Sequence, residues 1–300
     1  MSEAQPHQPF GAADIFAVIV MNVMWGLNLV AVKMGVDLVQ PMTAAWLRQA
    51  MVLLICLPAL RIVPGRMREL TGLGLLSGSL FYILVNWSLA VSDNVPALAI
   101  AGQLGAPFSL ILAVLVLGER IHKYRLIGMA LAFIGVALLV FDPAAINEEL
   151  GMAITAGASA VWAVCSLIQR RLKGVPVLTI YAWIGLIGTL CLFPVAWLAE
   201  PQAVRAIPDL PMSSLSWILF SALGSTVLGQ GAMSFLLQRH PVSTVVPLTL
   251  VNPVISVAAA AWWFGTNITP VMIVGGITVL VGVAIVTIRT AHAREHEGLA

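Results

Sequence analysis

Charged side chains are what this sequence has least of. Asp, Glu, Lys and Arg make up 9% of its 300 residues against 60% apolar residues, with a mean hydropathy of +0.99. A soluble globular fold has no means of burying that much apolar surface and is excluded. From Pro241 to Ile288 there is no charged residue at all, which leaves room for two helices of ~20 residues across a ~30 Å hydrocarbon core. Gly265-Thr266-Asn267 and Pro270 divide them. Spans this long suit helices, whose backbone groups are bonded internally, and not the ~10-residue alternating strands of an outer-membrane barrel. The expected fold class is all-α and integral to a membrane.

Cysteine is equally sparse. Cys56, Cys165 and Cys191 all fall inside apolar stretches, and an odd number of buried thiols makes no disulfide framework, so they read as packing residues. Catalytic signatures are missing too: there is no Gly-x-Ser-x-Gly, no His-Glu-x-x-His and no phosphate-binding loop, and His7, His122, His240, His292 and His296 fall in loops or tails. Without an activated nucleophile or ionisable pair at depth an enzyme is not expected. No metal, cofactor or nucleic-acid partner is expected either. No cationic stretch precedes the first span, where Glu3 and Asp14 stand instead, so that span reads as a retained helix and not a cleaved signal peptide.

What is present is a series of ten apolar spans, at roughly 12–32, 43–60, 70–91, 96–117, 124–141, 151–168, 177–199, 215–237, 243–264 and 270–288. Lys and Arg in the loops orient them. With the N-terminus cytoplasmic, the inner segments hold Arg61, Arg66, Arg68, Arg120, Lys123, Arg125, Arg170, Arg171, Lys173, Arg239, Arg289 and Arg294, and the outer ones only Lys33 and Arg205. Both termini are therefore expected in the cytoplasm.

The spans repeat. The stretch Asn94 to Phe141 returns at Pro241 to Ile288: Pro253 stands for Pro107 and, after one inserted residue, Gly265, Gly275 and Gly282 stand for Gly118, Gly128 and Gly135. Trp25, Lys33 and Trp46 match Trp162, Arg170 and Trp183 at one constant spacing, and Gly78-Ser79 matches Gly224-Ser225. The expected organisation is a first five-helix repeat over 1–144 and a second over 145–300. A five-helix unit crosses the membrane an odd number of times, so its copy is inverted, which is a recurring construction of secondary transporters working by alternating access.

Ten spans in two halves, Trp25-Gly26 early in the first helix, and Pro107 followed by Leu117-Gly118-Glu119 resemble the drug/metabolite transporter superfamily, in its EamA-type branch of bacterial amino-acid and metabolite exporters. The resemblance covers nearly the whole chain. It implies efflux of a small metabolite through a central cavity, and location in the bacterial cytoplasmic membrane. The second half departs from the pattern at Gly265-Thr266-Asn267, where a glutamate like Glu119 is expected.

Depth selects the candidate site residues, because a polar group at mid-membrane faces protein or a watery cavity more cheaply than lipid. Asn22, Trp25, Tyr82, Asn86, Gln103, Trp162, Gln230 and Asn252 meet that criterion and are assigned to substrate binding. Rings and neutral amides suit a small amphipathic solute, with neutral and aromatic amino acids ranked first. Arg48, the one charge well inside a span, reads either as a snorkelling or paired arginine or as an outer-vestibule contact for a substrate carboxylate. Pro107 and Pro253 each remove a helical hydrogen bond and are assigned as kinks or hinges that bring free carbonyls towards the centre. Glu119, among Arg120, Lys123 and Arg125, is expected in a local ion pair. The glycine-rich fifth and tenth helices are assigned to scaffold or to a partner subunit, as in a homodimer.

Acidic groups and histidine are absent from the middles of all ten spans, Asp14 standing at the very start of the first, whereas proton- or sodium-coupled carriers commonly hold one near mid-membrane. The expected mode is therefore facilitated movement or exchange. Ion-coupled antiport of drugs or other metabolites, and a non-transporting membrane scaffold or sensor, are the alternatives. The topology is checked with single cysteines placed at Arg66, Lys173, Asp93 and Asn147 in a background lacking the native three. In intact cells an impermeant maleimide should label positions 93 and 147 and spare 66 and 173 until lysis.

Overall fold

The computed structural model describes residues 10–36, 39–91, 102–118, 123–139, 149–265 and 269–297. All regular structure among them is helical. The long helices are α1 (Ala12–Val36), α2 (Pro41–Cys56), α3 (67–90), α4 (Gly105–Leu117), α5 (Lys123–Leu139), α6 (Glu149–Arg171), α7 (Val177–Ala199), α8 (Met212–Arg239), α9 (242–264) and α10 (Pro270–Glu297). Seven of them, α1, α2, α3, α6, α7, α8 and α9, contain stretches long and apolar enough to cross a membrane, and α4, α5 and α10 contribute shorter apolar ones. Each falls on a span expected from hydropathy, although the first part of the fourth span and Glu119 lie outside the described residues. Large apolar side chains such as Leu115, Leu198 and Trp262 point outward, as lipid contact requires.

The helices pair in a definite pattern. α5 packs on α10 and α2 on α7, while α1 packs on α8 and α9, and α6 packs on α3 and α4. Exchanging α1–α5 with α6–α10 leaves that pattern unchanged. Glycine permits the closest of these contacts, since backbone can meet backbone only where no Cβ intervenes. A Cβ on Gly135 of α5 would lie 2.7 Å from Gly275 O of α10, and one on Gly282 of α10 would lie 2.5 Å from Gly128 O of α5. The fifth and tenth helices thus spend their small faces on each other. Gly118 and Gly265 close α4 and α9 with the same left-handed geometry, φ 66° and ψ 24°, which only glycine adopts without cost.

Three helices depart from α winding in their middles. α3 widens into a π segment at Leu76–Leu80, α8 does so over Ser221–Gln230, and α9 tightens into 3₁₀ geometry over Val246–Val251. The last of these corrects the reading of the prolines. Pro253 stands in the first turn of the α-helical part of α9, and Pro107 in the first turn of α4, where a missing N–H costs little. The carbonyls four residues before them are not free. Ala106 N–H donates to Gln103 O at 3.2 Å, and Asn252 N–H donates to Thr249 O. In both halves the residue before the proline takes the carbonyl that the proline cannot.

Polar contacts tie the ends of the bundle. Glu200, between α7 and α8, accepts from the backbone N–H groups of Met42 and Thr43 at 2.9 and 2.7 Å and from Thr43 Oγ1 at 2.7 Å. A carboxylate there satisfies orphan donors and complements the dipole of α2. Asp14, in the first turn of α1, is fully buried and pairs with Arg239 at 3.0 Å and His240 Nε2 at 3.3 Å. His240 is also fully buried and stacks on Phe10. Composition placed His240 in a loop, which is its position, but did not reveal that this loop is folded inward onto an acid.

A close central crossing is testable by overpacking. A Cβ on Gly188 of α7 would lie 2.7 Å from Gly78 O of α3 and 3.0 Å from Gln49 Cγ of α2, whereas one on Gly157 of α6 meets nothing. Gly188→Val should destabilise the detergent-solubilised protein by about 1–3 kcal/mol, read as a lower thermal unfolding midpoint, and Gly157→Ala should leave that midpoint unchanged or raised.

Candidate functional site

The π-wound stretch of α8 is where the candidate side chains meet. Widening the helix by one residue per turn displaces backbone and side-chain groups from their regular rows, and such segments are frequent at functional sites. Trp25 of α1 donates its Nε1–H to Ser225 O at 3.2 Å, and its ring lies against Gly229, where a Cβ would come within 2.8 Å. Arg48 of α2 donates Nε–H to Thr226 Oγ1 at 2.8 Å and Nη2–H to Ser225 Oγ at 3.0 Å. Thr226 Oγ1 in turn donates to Ser221 O at 3.2 Å. Tyr82 of α3 lies beneath the guanidinium, 5.5 Å from ring centroid to Cζ. Four helices converge at this point.

Arg48 therefore does not snorkel to the surface. It is 9% exposed, and no carboxylate pairs with it among the described residues. Its two hydrogen bonds contribute about 1.5–3 kcal/mol each and the ring contact about 0.5–2 kcal/mol. Withdrawing a cation from water costs several kcal/mol. The neutral partners therefore offset the burial at best and leave the charge itself uncompensated.

A related arrangement joins α6 to α4. Ser159 Oγ donates to Gly102 O at 3.0 Å, and Trp162 lies against Gly105, where a Cβ would meet its Cε3 at 2.9 Å. Trp162 thus faces the start of α4, as Trp25 faces α8. Ser159 occupies in the second half the place that Asn22 holds in the first, three residues before the tryptophan.

Of the remaining candidates, Asn22 is buried and donates Nδ2–H to Val18 O at 2.9 Å, leaving its Oδ1 buried and unpartnered among the described residues. Asn252 Oδ1 accepts from Ser256 Oγ at 3.2 Å within α9. Asn86 is half-buried and among the described residues reaches only Met42 Sδ, at 3.9 Å. Gln103 and Gln230 are half-buried at the start of α4 and the end of the π segment. Trp25, Arg48 and Tyr82 are thus brought together directly, and Trp162 and Gln103 share the α4–α6 contact region.

The reading from sequence missed Ser225, Thr226 and Ser159 as contact residues. Gly224-Ser225 was visible as the counterpart of Gly78-Ser79, but nothing in the sequence announces that α8 unwinds there to turn two consecutive hydroxyls onto one arginine. Gln49 was missed too; it is 1% exposed with neither amide atom partnered among the described residues.

A groove of about 320 Å³ opens between α4 and α5, lined by Leu104, Pro107, Leu126, Met129, Ala130, Phe133 and Ile134. Every lining residue is apolar and none of the polar candidates borders it, so it suits hydrocarbon rather than an amino acid. No cluster of three metal-ligating side chains occurs among the described residues.

The model of the EamA-like transporter family matches the chain twice, over residues 12–141 and 149–288. Named relatives agree in kind. The chain is 28% identical over 287 residues to a "Probable amino-acid metabolite efflux pump" of Salmonella typhimurium LT2, covering 91% of this chain and 94% of that protein. It is 26% identical over 292 residues to a "Probable terminal-alkyne amino-acid exporter" of Streptantibioticus cattleyicolor, covering 93% and 95%. A solved structure described only as "Crystal structure of protein" superposes with a TM-score of 0.74 at 14% identity, over 95% of this chain and 99% of that one, which establishes likeness of fold.

Thr226→Val tests the arginine clamp. The substitution keeps the shape and removes the acceptor of Arg48 Nε–H, so it should cost about 1.5–3 kcal/mol of stability, measured as a lowered unfolding midpoint. In an Arg48→Gln background the same change should cost clearly less.

Proposed function

We propose that this chain, which belongs to the EamA-like transporter family, exports amino acids and similarly small amphipathic metabolites through a site between its two halves. It is a multi-pass membrane transporter and not an enzyme. The observation that carries the proposal is the meeting of Trp25, Arg48 and Tyr82, from three different helices, on the irregular turn of α8. A polar convergence deep in an apolar bundle is costly to keep and belongs where a solute passes. Two relatives named for amino-acid export support the substrate class.

The two halves, 1–144 and 145–300, act as inverted repeats. The family model's double match and the exchange-invariant helix pairing support this reading. Exchanging the conformations of similar halves converts an outward-open shape to an inward-open one about a fixed site. The substrate contacts are Asn22, Trp25, Tyr82, Asn86, Gln103, Trp162, Gln230 and Asn252. Pro107 and Pro253, each beside a 3₁₀-type bond, mark the flexing points of α4 and α9. The excess of Lys and Arg in one set of loops supports cytoplasmic termini, and the bacterial relatives support location in the inner membrane of a bacterial cell.

Transport proceeds without ion coupling. Among the described residues the one fully buried acid, Asp14, is already engaged by Arg239 and His240 at the end of α1, which makes it a closing contact and not an exchangeable ion site. In proteoliposomes, counterflow of labelled phenylalanine should proceed with no imposed ion gradient. Uphill accumulation driven by a proton or sodium gradient, and lost with an ionophore, would contradict this. Trp25→Ala and Trp162→Ala should each lower the initial rate by roughly tenfold or more at equal abundance, since each removes a ring from the passage.

A further inference from the structure

We infer that the Arg48 guanidinium is the anchor for the carboxylate of the transported molecule. This rests on the export function proposed above and adds the chemical group that is recognised. Among the described residues the other buried charge, Asp14, has Arg239, and the half-buried Glu200 has the N–H groups that begin α2. Arg48 has only neutral hydroxyls and a phenol ring.

The geometry decides which part of the guanidinium is committed. Nε and Nη2, the side edge, are held by Thr226 and Ser225. Nη1 has no partner among the described residues, so the end edge formed by Nη1 and the second Nη2 proton keeps two parallel donors. That fork matches the two oxygens of a carboxylate. The hydroxyls fix the plane of the fork, and Tyr82 fixes its height, so little side-chain freedom remains to be lost on binding.

The stoichiometry of charge points to a monoanion. One cation with no second Lys or Arg beside it among the described residues balances one carboxylate, whereas a phosphate would remain half-neutralised. Trp25 reaches the same turn of α8 through Ser225 O and offers an apolar ring for the rest of the molecule. The ligand class is thus a single carboxylate carrying an apolar or aromatic body.

The test uses the full chain in proteoliposomes with phenylalanine and phenylalaninamide, which differ in whether the carboxylate is present. Unlabelled phenylalanine should compete for counterflow at least about 30-fold better than its amide, because a site built for a polar group rejects the analogue lacking it. Arg48→Gln should raise half-saturation for phenylalanine by a similar factor and abolish the preference for acid over amide, while Arg48→Lys keeps part of it. A merely structural arginine would lower the amount of active protein without changing that preference. The inference is overturned if the parent accepts the amide as well as the acid, or if Arg48→Gln retains the preference. If Arg48→Gln does not fold, the parent's own ratio decides. Should the parent move neither compound, amino-acid export fails and this anchor with it.

Discussion

Hydrocarbon cannot form hydrogen bonds, and the rest of this structure follows from that. Every backbone group within the bilayer must be satisfied by the chain itself, and a charge there is costly unless something pairs with it. Continuous helices meet the requirement for most of the sequence. Where winding changes, the protein supplies a specific substitute: Ala106 N–H and Asn252 N–H take the carbonyls that Pro107 and Pro253 cannot, and Trp25 gives a side-chain donor to a carbonyl of the widened α8. Irregularity is confined to places where another helix or a neighbouring residue completes the bonding.

The same constraint gives Arg48 its meaning. A cation placed in water needs no explanation, but one at 9% exposure inside a bundle does. Its hydroxyl and aromatic neighbours hold the guanidinium in place without neutralising it, so the binding energy still available is electrostatic and selective for an anion. The close glycine crossings that bring α2, α3 and α7 together at Gly78, Gly185 and Gly188 set the frame from which Arg48 and Tyr82 extend. Packing that looks purely structural thereby fixes the position of the site.

Much of the architecture was legible in the sequence because apolar length is a strong signal. The span limits agree with the helices within a few residues wherever both are described, except that α10 runs on from 288 to Glu297. The glycines Gly118, Gly128, Gly135, Gly265, Gly275 and Gly282, first recognised as a repeat, end or pair the helices that contain them. The interior was less legible. Mid-span depth selected Trp25 and Tyr82, which meet α8 and Arg48, but could not separate them from Asn22 and Asn252, whose amides bond within their own helices. Arg48 was placed near the surface because depth along a helix says nothing of which neighbour it faces. Ser225 and Thr226 escaped notice because small hydroxyls are unremarkable in a membrane helix and π winding has no composition of its own. Free carbonyls were expected at the prolines because their local rule is firm, yet a 3₁₀ bond one residue earlier offsets the loss.

The central claim is the location of the passage, and photolabelling tests it most directly. A diazirine-bearing phenylalanine, bound to the purified protein and irradiated, should modify peptides containing Trp25, Tyr82, Trp162 or Ser225, and excess unlabelled phenylalanine should suppress the modification. Adducts confined to Leu126, Phe133 and Ile134, on the apolar groove between α4 and α5, would contradict the account.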